Sequence, residues 1–431
     1  MPSLPLIDFS PFYNGTEADR AKLAATITAE LQKHGAMRLI NTSITTETIE
    51  EGFKWGKKFF SLPLEEKAAI PNERNANPQR GWSYIGSENT SKLDMLENDG
   101  LEDEKEHFDH SSAADTEFPS KWPSESSIPG YRQFMEDLLE KCHVVGREVL
   151  ENLEQGLGLR QGELSDRCCA SPIIDELRMN YYAPISTEKL NTGKYRRAWP
   201  HTDFGMITLL FQDDAGGLEV QDRFSSKPDA FIPLLREHPT EINVYVSNSL
   251  EYMTNNYLKA GLHQVATPID MQDVVNGILP ERQSIACFIK PRREVNVGPM
   301  KQFITPERPR AYEDLTGLEL HKGARAPPST REARTLDDIF REIDEDLDEE
   351  FPSLATIAIL AKVRKEAYAS IVTDTVQSQQ RPIERSAGQQ VSAVTVGTSK
   401  CSGKPQPQHL KARESPDESS PKEVMPPEFS V

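Results

Sequence analysis

A histidine and an aspartate stand two positions apart in the segment Pro200-His201-Thr202-Asp203-Phe204-Gly205. At the end of a β-strand, side chains two residues apart point to the same face. One imidazole and one carboxylate on one face supply two of the three ligands of a facial triad, which leaves the opposite side of a bound Fe(II) open to substrates. A histidine and an acid at this spacing also occur by chance, so a metal site requires a third ligand.

The third ligand can be sought among the nine histidines of the chain. His107 and His110 lie three apart in an acidic region, and without a third ligand nearby we interpret them as surface polar residues. His263 lies in an apolar, β-like stretch, where a buried histidine requires a polar partner. It is therefore the best candidate for the third ligand. The other histidines lie in predicted helices, in polar or proline-rich stretches, or at the end of the dense sequence: His34, His143, His238, His321 and His409.

Two further pairs of polar residues share strand faces. Arg282 and Ser284 open an apolar strand, and a guanidinium beside a hydroxyl suits the far carboxylate of a dicarboxylic acid, because arginine binds carboxylates in a bidentate fork. Taken alone, Arg282 is better explained as a surface arginine on an edge strand. Asn180 and Tyr182 can both donate hydrogen bonds from one strand face, although packing explains them equally well.

The elements that would position these residues change in character along the chain. Thr16 and Asp19 form a helix-start pattern, which predicts a helix over 18–34 that Gly35 ends. We predict further helices over 46–60 and 131–156 and early strands over 4–8 and 36–40. From about residue 177 to 290, short β-type runs separated by turn residues predict a sandwich or barrel. The chain is therefore expected to be α+β with an antiparallel β core.

The last part of the chain differs from the rest. Beyond residue 325, Leu336, Ile339 and Phe340 fall on one face of an acidic amphipathic helix, and beyond residue 376 the composition predicts disorder. We therefore divide the chain into an N-terminal, mainly helical region, a β core, an acidic helical extension and a disordered tail. Their predicted bounds are 1–170, 171–325, 326–376 and 377–431.

Composition excludes several classes of protein. The formal charge of −19 over 431 residues argues against nucleic-acid binding, because neutralising phosphates requires a basic surface. Residues 354–361 form the longest apolar run, far shorter than the roughly 20 residues of a membrane span. Five cysteines without framework spacing predict a reduced protein, and the segment around Asp8 does not read as a signal peptide. We expect a cytoplasmic monomer that acts on a small molecule.

Taken together, the motifs resemble a known enzyme family. They occur in family order over about residues 3–320, and the set is specific although each piece is not. The chain resembles the isopenicillin N synthase-like Fe(II)/2-oxoglutarate-dependent dioxygenases, also called iron/ascorbate-dependent oxidoreductases. Its overall sequence character resembles that of their fungal members. The motifs are Leu6-Ile7-Asp8-Phe9, Phe59-Phe60-Ser61-Leu62-Pro63, Glu66-Lys67, Arg178-Met179-Asn180-Tyr181-Tyr182, His201-Thr202-Asp203-Phe204-Gly205, Gly216-Gly217-Leu218-Glu219-Val220, Thr254-Asn255 before His263, and Arg282-Gln283-Ser284.

The resemblance implies a fold and a ligand set. The fold would be a double-stranded β-helix, or jelly roll, with flanking helices, here followed by a C-terminal extension without a family counterpart. Fe(II), 2-oxoglutarate and O2 would be the cofactor and co-substrates, with ascorbate as an activator. His201, Asp203 and His263 would be the iron ligands. The residues implied for 2-oxoglutarate are Arg282, Ser284, Tyr182 and Asn180.

The resemblance also implies an activity. The enzyme would hydroxylate or desaturate a small organic substrate, with a role in fungal secondary metabolism, and release succinate and CO2. No catalytic residue beyond the metal ligands is implied, and Arg80, Trp82 and Tyr84 are candidates for substrate contact. Two alternatives stay open: an iron oxidase of the same family that does not use 2-oxoglutarate, and a catalytically silent binding protein on the same scaffold.

This chain departs from the family pattern next to the third ligand. Gln264 follows His263 where arginine is usual, which affects the surroundings of the metal ligands but not ligation itself. The interval from His263 to Arg282 is somewhat long and indicates a loop insertion around residues 270–280.

Overall fold

The computed structural model of the protein describes residues 4–73, 78–88, 101–169, 173–227, 229–271 and 277–322. All of them lie in the first of two units of the chain, Met1–Arg334. The predicted acidic helix and disordered tail lie outside the described residues, and the four predicted regions stay predictions. Among the described residues, no helix combines the length and the apolarity needed to cross a bilayer.

The long helices begin and end close to their predicted bounds. The described helices are α1 (Ser10–Asn14), α2 (Glu17–His34), α3 (Thr46–Phe60), α4 (Leu64–Ala68), α5 (Tyr131–Leu157), α6 (Asp166–Cys169), α7 (Thr187–Asn191), α8 (Asn248–Met253) and α9 (Gly317–His321), with short 3₁₀ turns at Ile269–Met271 and Lys301–Phe303. Thr16 and Asp19 cap α2 reciprocally, and Gly35 ends it with a φ of 69°. The predicted helix start and stop are confirmed.

The strands form two main sheets. They are β1 (Leu6–Asp8), β2 (Ala36–Ile40), β3 (Gly81–Ser83), β4 (Glu102–Asp103), β5 (Glu106–Ser111), β6 (Glu176–Tyr182), β7 (Ile185–Ser186), β8 (Tyr195–Arg196), β9 (Ala198–His201), β10 (Ile207–Gln212), β11 (Leu218–Gln221), β12 (Phe231–Pro233), β13 (Ile242–Val246), β14 (His263–Val265), β15 (Ile278–Leu279) and β16 (Arg282–Ile289). The large sheet has the order β1-β2-β13-β10-β16-β6-β5-β3, and the small sheet has the order β12-β11-β14-β9. Two-stranded pairs, β15-β7 and β4-β8, accompany them.

The large sheet draws strands from both sides of residue 170. Strands β1, β2, β3 and β5 precede that position, and β6, β10, β13 and β16 follow it. The pairs among β6, β16, β10 and β13 are antiparallel, whereas β1 pairs with β2 in parallel. The antiparallel β core expected from the sequence is therefore present, with a parallel strand added at one edge.

The large sheet has two distinct faces. On its helix side, Met179, Leu209 and Ile285 share one core with helix residues such as Val145 of α5. On its inner side, Tyr245 and Ala286 share a second core with Val220 of the small sheet. The two sheets therefore pack face to face. Because alternate residues of a strand point to opposite faces, each strand contributes to both cores.

Candidate active site

Two histidines face each other across neighbouring strands of the small sheet. His201 ends β9 and pairs directly with His263, which begins β14, and their ring centroids are 4.3 Å apart. Asp203 lies two residues beyond the end of β9. One ligand atom from each of His201, Asp203 and His263 lies within 4.8 Å of the other two, which makes these residues the candidate metal cluster of the described chain.

Both imidazoles are oriented by backbone carbonyls. His201 Nδ1 lies 2.7 Å from the carbonyl oxygen of Trp199, and His263 Nδ1 lies 2.9 Å from that of Gly261. A carbonyl can only accept, so each Nδ1 carries the proton and each Nε2 keeps its lone pair. Neutral imidazoles with free Nε2 atoms are the form that binds a metal.

The electrostatics of His201 favour the same form. Burial, followed by the neighbouring His263, lowers the pKa of His201 to about 3. The His201 ring is therefore neutral at physiological pH, and no proton has to be displaced before it binds a cation. The Tyr245 ring stacks on the other face of the site, 4.3 Å from the His263 ring and tilted by only 15°.

The carboxylate is fixed through one of its two oxygens. Asp203 Oδ2 accepts a hydrogen bond of 2.6 Å from the Thr208 hydroxyl of β10, while Oδ1 lies 3.9 Å from His201 Nε2. The Asp203 carbonyl also accepts from the backbone N–H of Asn248, at 2.8 Å. Two nitrogens and one oxygen at a buried position, each held by a neighbour, fit a facial site for Fe(II).

A buried arginine lies on the large sheet beside this cluster. Arg282 is fully buried, and its Nη1 and Nη2 donate at 3.3 Å to the Ser284 hydroxyl and to Gln212 Oε1. Across the strand pair, Arg282 is opposite Tyr182 and Ser284 is opposite Asn180. Among the described residues, Arg282 forms no ion pair with a carboxylate. A buried charge without a partner is costly, so this pocket fits an anionic ligand.

The surroundings of Arg282 and of the metal cluster meet in one core, because Tyr182 beside Arg282 and Tyr245 beside His263 belong to the same buried cluster. The guanidinium of Arg282 lies 4.9 Å from the centre of the Tyr182 ring, and Asn180 Nδ2 donates to the Ser284 hydroxyl at 3.3 Å. Three buried polar groups on inner-side positions find no hydrogen-bond partner within the described chain: Asn180 Oδ1, the Asn243 amide and the Tyr245 hydroxyl. Unsatisfied polar groups in a buried interior fit a polar ligand.

Family models match most of the described region. The model described as "non-haem dioxygenase in morphine synthesis N-terminal" matches residues 4–125, and that of the 2OG-Fe(II) oxygenase superfamily matches residues 174–291. A 2-oxoglutarate-dependent dioxygenase of Aspergillus rugulosus, ecdK, is 39% identical over 324 residues, which cover 73% of this chain and 96% of that protein. The chain belongs to the 2OG-Fe(II) oxygenase superfamily. A second relative, phqC of Penicillium fellutanum, is 37% identical over 74% of this chain and 92% of its own length.

Solved structures agree with the fold of this oxygenase. A full-length Neurospora crassa protein, determined in complex with alpha-KG, is 28% identical with a TM-score of 0.65, over 74% of this chain and 94% of that protein. A putative 2OG-Fe(II) oxygenase family protein from Caulobacter crescentus has a TM-score of 0.61 at 22% identity, covering 80% of this chain and 100% of its own. The α+β jelly-roll core is confirmed, and the protein is a non-haem Fe(II)/2-oxoglutarate dioxygenase of fungal type. It uses Fe(II), 2-oxoglutarate and O2.

The histidine pair near residue 110 corrects a sequence interpretation. His107 and His110 are not surface residues of the oxygenase, because they are 1% and 0% exposed. They lie on opposite faces of β5: His107 is 3.3 Å from Asp109 within a buried charged cluster, whereas the ring of His110 packs 4.8 Å from that of Trp122. The polar sequence around the two histidines is typical of a surface. Burial of these side chains depends on charge pairs that form only in the folded structure.

The charged cluster on the inner side is a feature that sequence reasoning missed. Arg178 Nε donates to Asp109 at 2.7 Å, and Lys105 Nζ lies 2.9 Å from Glu88. His107 of this cluster is directly opposite Asn180 across β5 and β6. The cluster therefore forms an interior wall next to the 2-oxoglutarate candidates. The sequence did contain one signal: Arg178, Asn180 and Tyr182 alternate along β6, which predicts that all three point to the same face.

The three predicted substrate contacts have different surroundings. Arg80 is buried and pairs with Asp115 at 2.8 Å and with Glu176 at 2.5 Å. Trp82 belongs to the helix-side core and its Nε1 donates to Glu106 at 2.7 Å. Tyr84 is 46% exposed. These protein contacts account for Arg80 and Trp82 without a substrate, and the role of the three residues stays a prediction.

Gln264 faces away from the iron candidates. Its Nε2 donates to Glu219 at 2.7 Å, and its Oε1 accepts from Arg196. The residue after His263 therefore takes part in a polar network that links β11, β14 and β8. Replacing the usual arginine by glutamine leaves the ring of His263 and its bond to Gly261 untouched.

Proposed function

We propose that His201, Asp203 and His263 hold Fe(II) and that the pocket around Arg282 holds 2-oxoglutarate. The observation that carries this proposal is the juxtaposition of a neutral, oriented ligand trio with a buried guanidinium that lacks a described carboxylate partner. Each is explained when a cation and a dicarboxylic acid bind together.

The residues of the chain then have separate tasks. Arg282 and Ser284 bind the distal carboxylate. The Tyr182 ring packs against the guanidinium of Arg282, and Asn180 hydrogen-bonds the co-substrate. Thr208 fixes the carboxylate of Asp203, so that its free oxygen faces the metal. Iron and 2-oxoglutarate, when bound, would activate O2 for oxidation of a substrate C–H bond, and the 2-oxoglutarate would be converted to succinate and CO2.

The substrate is a small organic molecule. Relatives on the same scaffold differ in what they act on: buaE of Petromyces alliaceus, 33% identical, is a proline hydroxylase, and the Neurospora crassa protein was also determined with thymine. The substrate therefore does not follow from the fold. We propose hydroxylation or desaturation of a fungal secondary metabolite, by a monomer in the cytoplasm that does not bind nucleic acid.

The test measures succinate formed from 2-oxoglutarate in air with Fe(II) and ascorbate. We expect slow succinate formation by the full-length protein without added substrate, and none by His201→Ala. Iron content, measured after anaerobic loading, should fall in the same variant. Wild-type iron content and wild-type succinate formation in His201→Ala would overturn the assignment of His201 as an iron ligand.

A further inference from the structure

A second buried arginine lies at the pocket of Arg282. Arg197 is 1% exposed and directly precedes β9, the strand that ends at His201. Its guanidinium carbon lies 6.0 Å from the centre of the Tyr182 ring, and that of Arg282 lies 4.9 Å from the same ring. Two guanidinium groups therefore share one buried aromatic neighbour.

Most of the donor capacity of Arg197 is unused. Its Nη2 donates to the carbonyl of Pro280, but Nε and Nη1 are buried and have no hydrogen-bond partner in the described part of the chain. Nε and Nη1 lie on different sides of the guanidinium, so each can donate a separate charge-assisted hydrogen bond to a buried anion. Burial and the nearby charge of Arg282 also lower the pKa of Arg197, to about 10, which still leaves it charged at neutral pH.

Other buried arginines of the described chain are paired differently. Arg38 forms an ion pair with Glu241 at 2.9 Å, and Arg80 forms one with Asp115 at 2.8 Å. Arg197 and Arg282, in contrast, form no ion pair with a described carboxylate. Burying an unpaired charge beside a like charge is costly, and a bound carboxylate would remove that cost at both residues.

We propose that Arg197 is a second anchor for the distal carboxylate of 2-oxoglutarate, which is held between the guanidinium groups of Arg282 and Arg197. The proposal rests on the proposed function and adds a specificity-determining residue to it. Two charge-assisted anchors favour a 2-oxo acid with a second carboxylate over one without. Arg197 contributes to co-substrate affinity and selectivity and does not contact the metal ligands.

The first experiment measures co-substrate binding without turnover. Full-length protein loaded with Fe(II) under anaerobic conditions is titrated with 2-oxoglutarate and with 2-oxopentanoate, which lacks the distal carboxylate. We expect Arg197→Gln to weaken 2-oxoglutarate binding by about 10- to 100-fold, as for the loss of a hydrogen-bonded charge. Binding of 2-oxopentanoate and of Fe(II) should be unchanged. Arg197→Lys, which keeps the charge but not the two separate donor positions, should be intermediate.

The neighbouring Arg196 provides the matched control. Its guanidinium bonds Gln264 and lies 4.6 Å from the centre of the Trp199 ring, so Arg196→Gln should bind 2-oxoglutarate like wild type. A wild-type affinity in Arg197→Gln, while Arg282→Gln loses binding, would overturn this proposal alone. Wild-type protein that neither binds 2-oxoglutarate nor forms succinate would overturn the proposed function together with it.

Thermal melting separates a ligand anchor from a structural residue. Without 2-oxoglutarate, Arg197→Met should melt no lower than wild type, because it removes an unpaired buried charge. With saturating 2-oxoglutarate and Fe(II), the melting temperature of wild type should rise and that of Arg197→Met should rise much less. A lower melting temperature without ligand, combined with a full ligand-induced rise, would mean that Arg197 stabilises the fold and does not bind the co-substrate.

Discussion

At the scale of single residues, the two oxygens of Asp203 have different neighbours. The Thr208 hydroxyl donates to Oδ2 at 2.6 Å and lies 3.3 Å from the Ser247 hydroxyl, so a short chain of hydroxyls fixes the carboxylate plane. Oδ1 remains on the side of His201. The metal site therefore depends on a residue that does not itself bind the metal.

Replacing Thr208 by valine tests this dependence. Thr208→Val keeps the side-chain volume but removes the hydroxyl, so Asp203 gains freedom to rotate. We expect Fe(II) affinity to fall by about 10- to 100-fold, measured by anaerobic titration. Thr28→Val is the matched control, because Thr28 is also buried but its hydroxyl has no described partner. Equal Fe(II) affinities in the two variants would refute a role for Thr208.

The clustering of His201, Asp203 and His263 could be predicted from sequence, whereas the burial of Arg197 could not. Strand alternation places His201 near Asp203, and an apolar context marks His263. The adjacent residues Arg196 and Arg197 cannot be distinguished in the sequence, which does not show which of the two side chains turns inward. In the structure Arg196 ends β8, which pairs with β4, whereas Arg197 lies between β8 and β9 and is buried.

At the scale of elements, the connection between β9 and β10 is tightly held. Gly205 lies in it, and a Cβ added there would be 2.6 Å from the carbonyl oxygen of Ile289 in β16. The Met206 N–H donates to that same oxygen at 2.8 Å. The connection that carries Asp203 is therefore placed by close backbone contact with the large sheet.

Adding one methyl group at this position should disturb the metal site. In Gly205→Ala the backbone of β16 cannot yield as a flexible side chain would, so the connection and Asp203 must shift. We expect weaker Fe(II) binding, by at least about 10-fold, as for a disturbed ligand support. Gly158→Ala is the control: its φ of +67° makes alanine unfavourable, but nothing lies within 4 Å. That variant should lose roughly 1 kcal/mol of stability and keep wild-type Fe(II) affinity.

Elements with local signals could be predicted closely, and β5 shows why others could not. The bounds predicted for α3 and β2 agree with the structure, because capping residues and short apolar runs are properties of the local sequence. Every residue of Glu106–Ser111 in β5 is buried, although four of the six are charged or histidine. Their burial depends on partners such as Arg178 and Lys67, which lie far away in sequence.

At the scale of the whole molecule, buried histidines couple folding to pH. Burial lowers the pKa of His110 and of His321, each to about 3, whereas an unfolded histidine titrates near 6.5. Between these values the unfolded chain binds more protons than the folded one, so stability is lost as pH falls below 6.5. Burial also raises the pKa of Asp109 to about 6. Its contribution has the opposite sign, because the folded form then holds the extra proton.

Replacing His110 by phenylalanine should weaken this pH dependence. The ring packs against Trp122 and near Phe108, so a phenylalanine fits the space. Between about pH 6 and 4, the slope of unfolding free energy against pH should fall by about 1.4 kcal/mol per pH unit, the value for one proton. Urea denaturation at a series of pH values measures it. An unchanged slope would show that His110 does not take up a proton when the chain unfolds.

The C-terminal part of the chain should not be needed for the site. The relatives ecdK and phqC match over 96% and 92% of their own lengths but over only 73% and 74% of this chain. All proposed ligands lie before residue 285. We expect protein that ends at residue 325 to keep the Fe(II) and 2-oxoglutarate affinities of the full chain within about threefold, a change below 1 kcal/mol. Loss of iron binding in folded, truncated protein would assign a role to residues 326–431.

The two faces of the large sheet also bear on how such an enzyme can diversify. In β16 the positions of Ala286 and Phe288 are on the inner side, while Ile285 and Cys287 belong to the helix-side core. Selection can therefore change the inner side of the large sheet at every second strand residue, while the residues between them maintain the helix-side core. A mutational library restricted to inner-side positions should yield more folded variants with altered substrate range than one spread evenly along the strands.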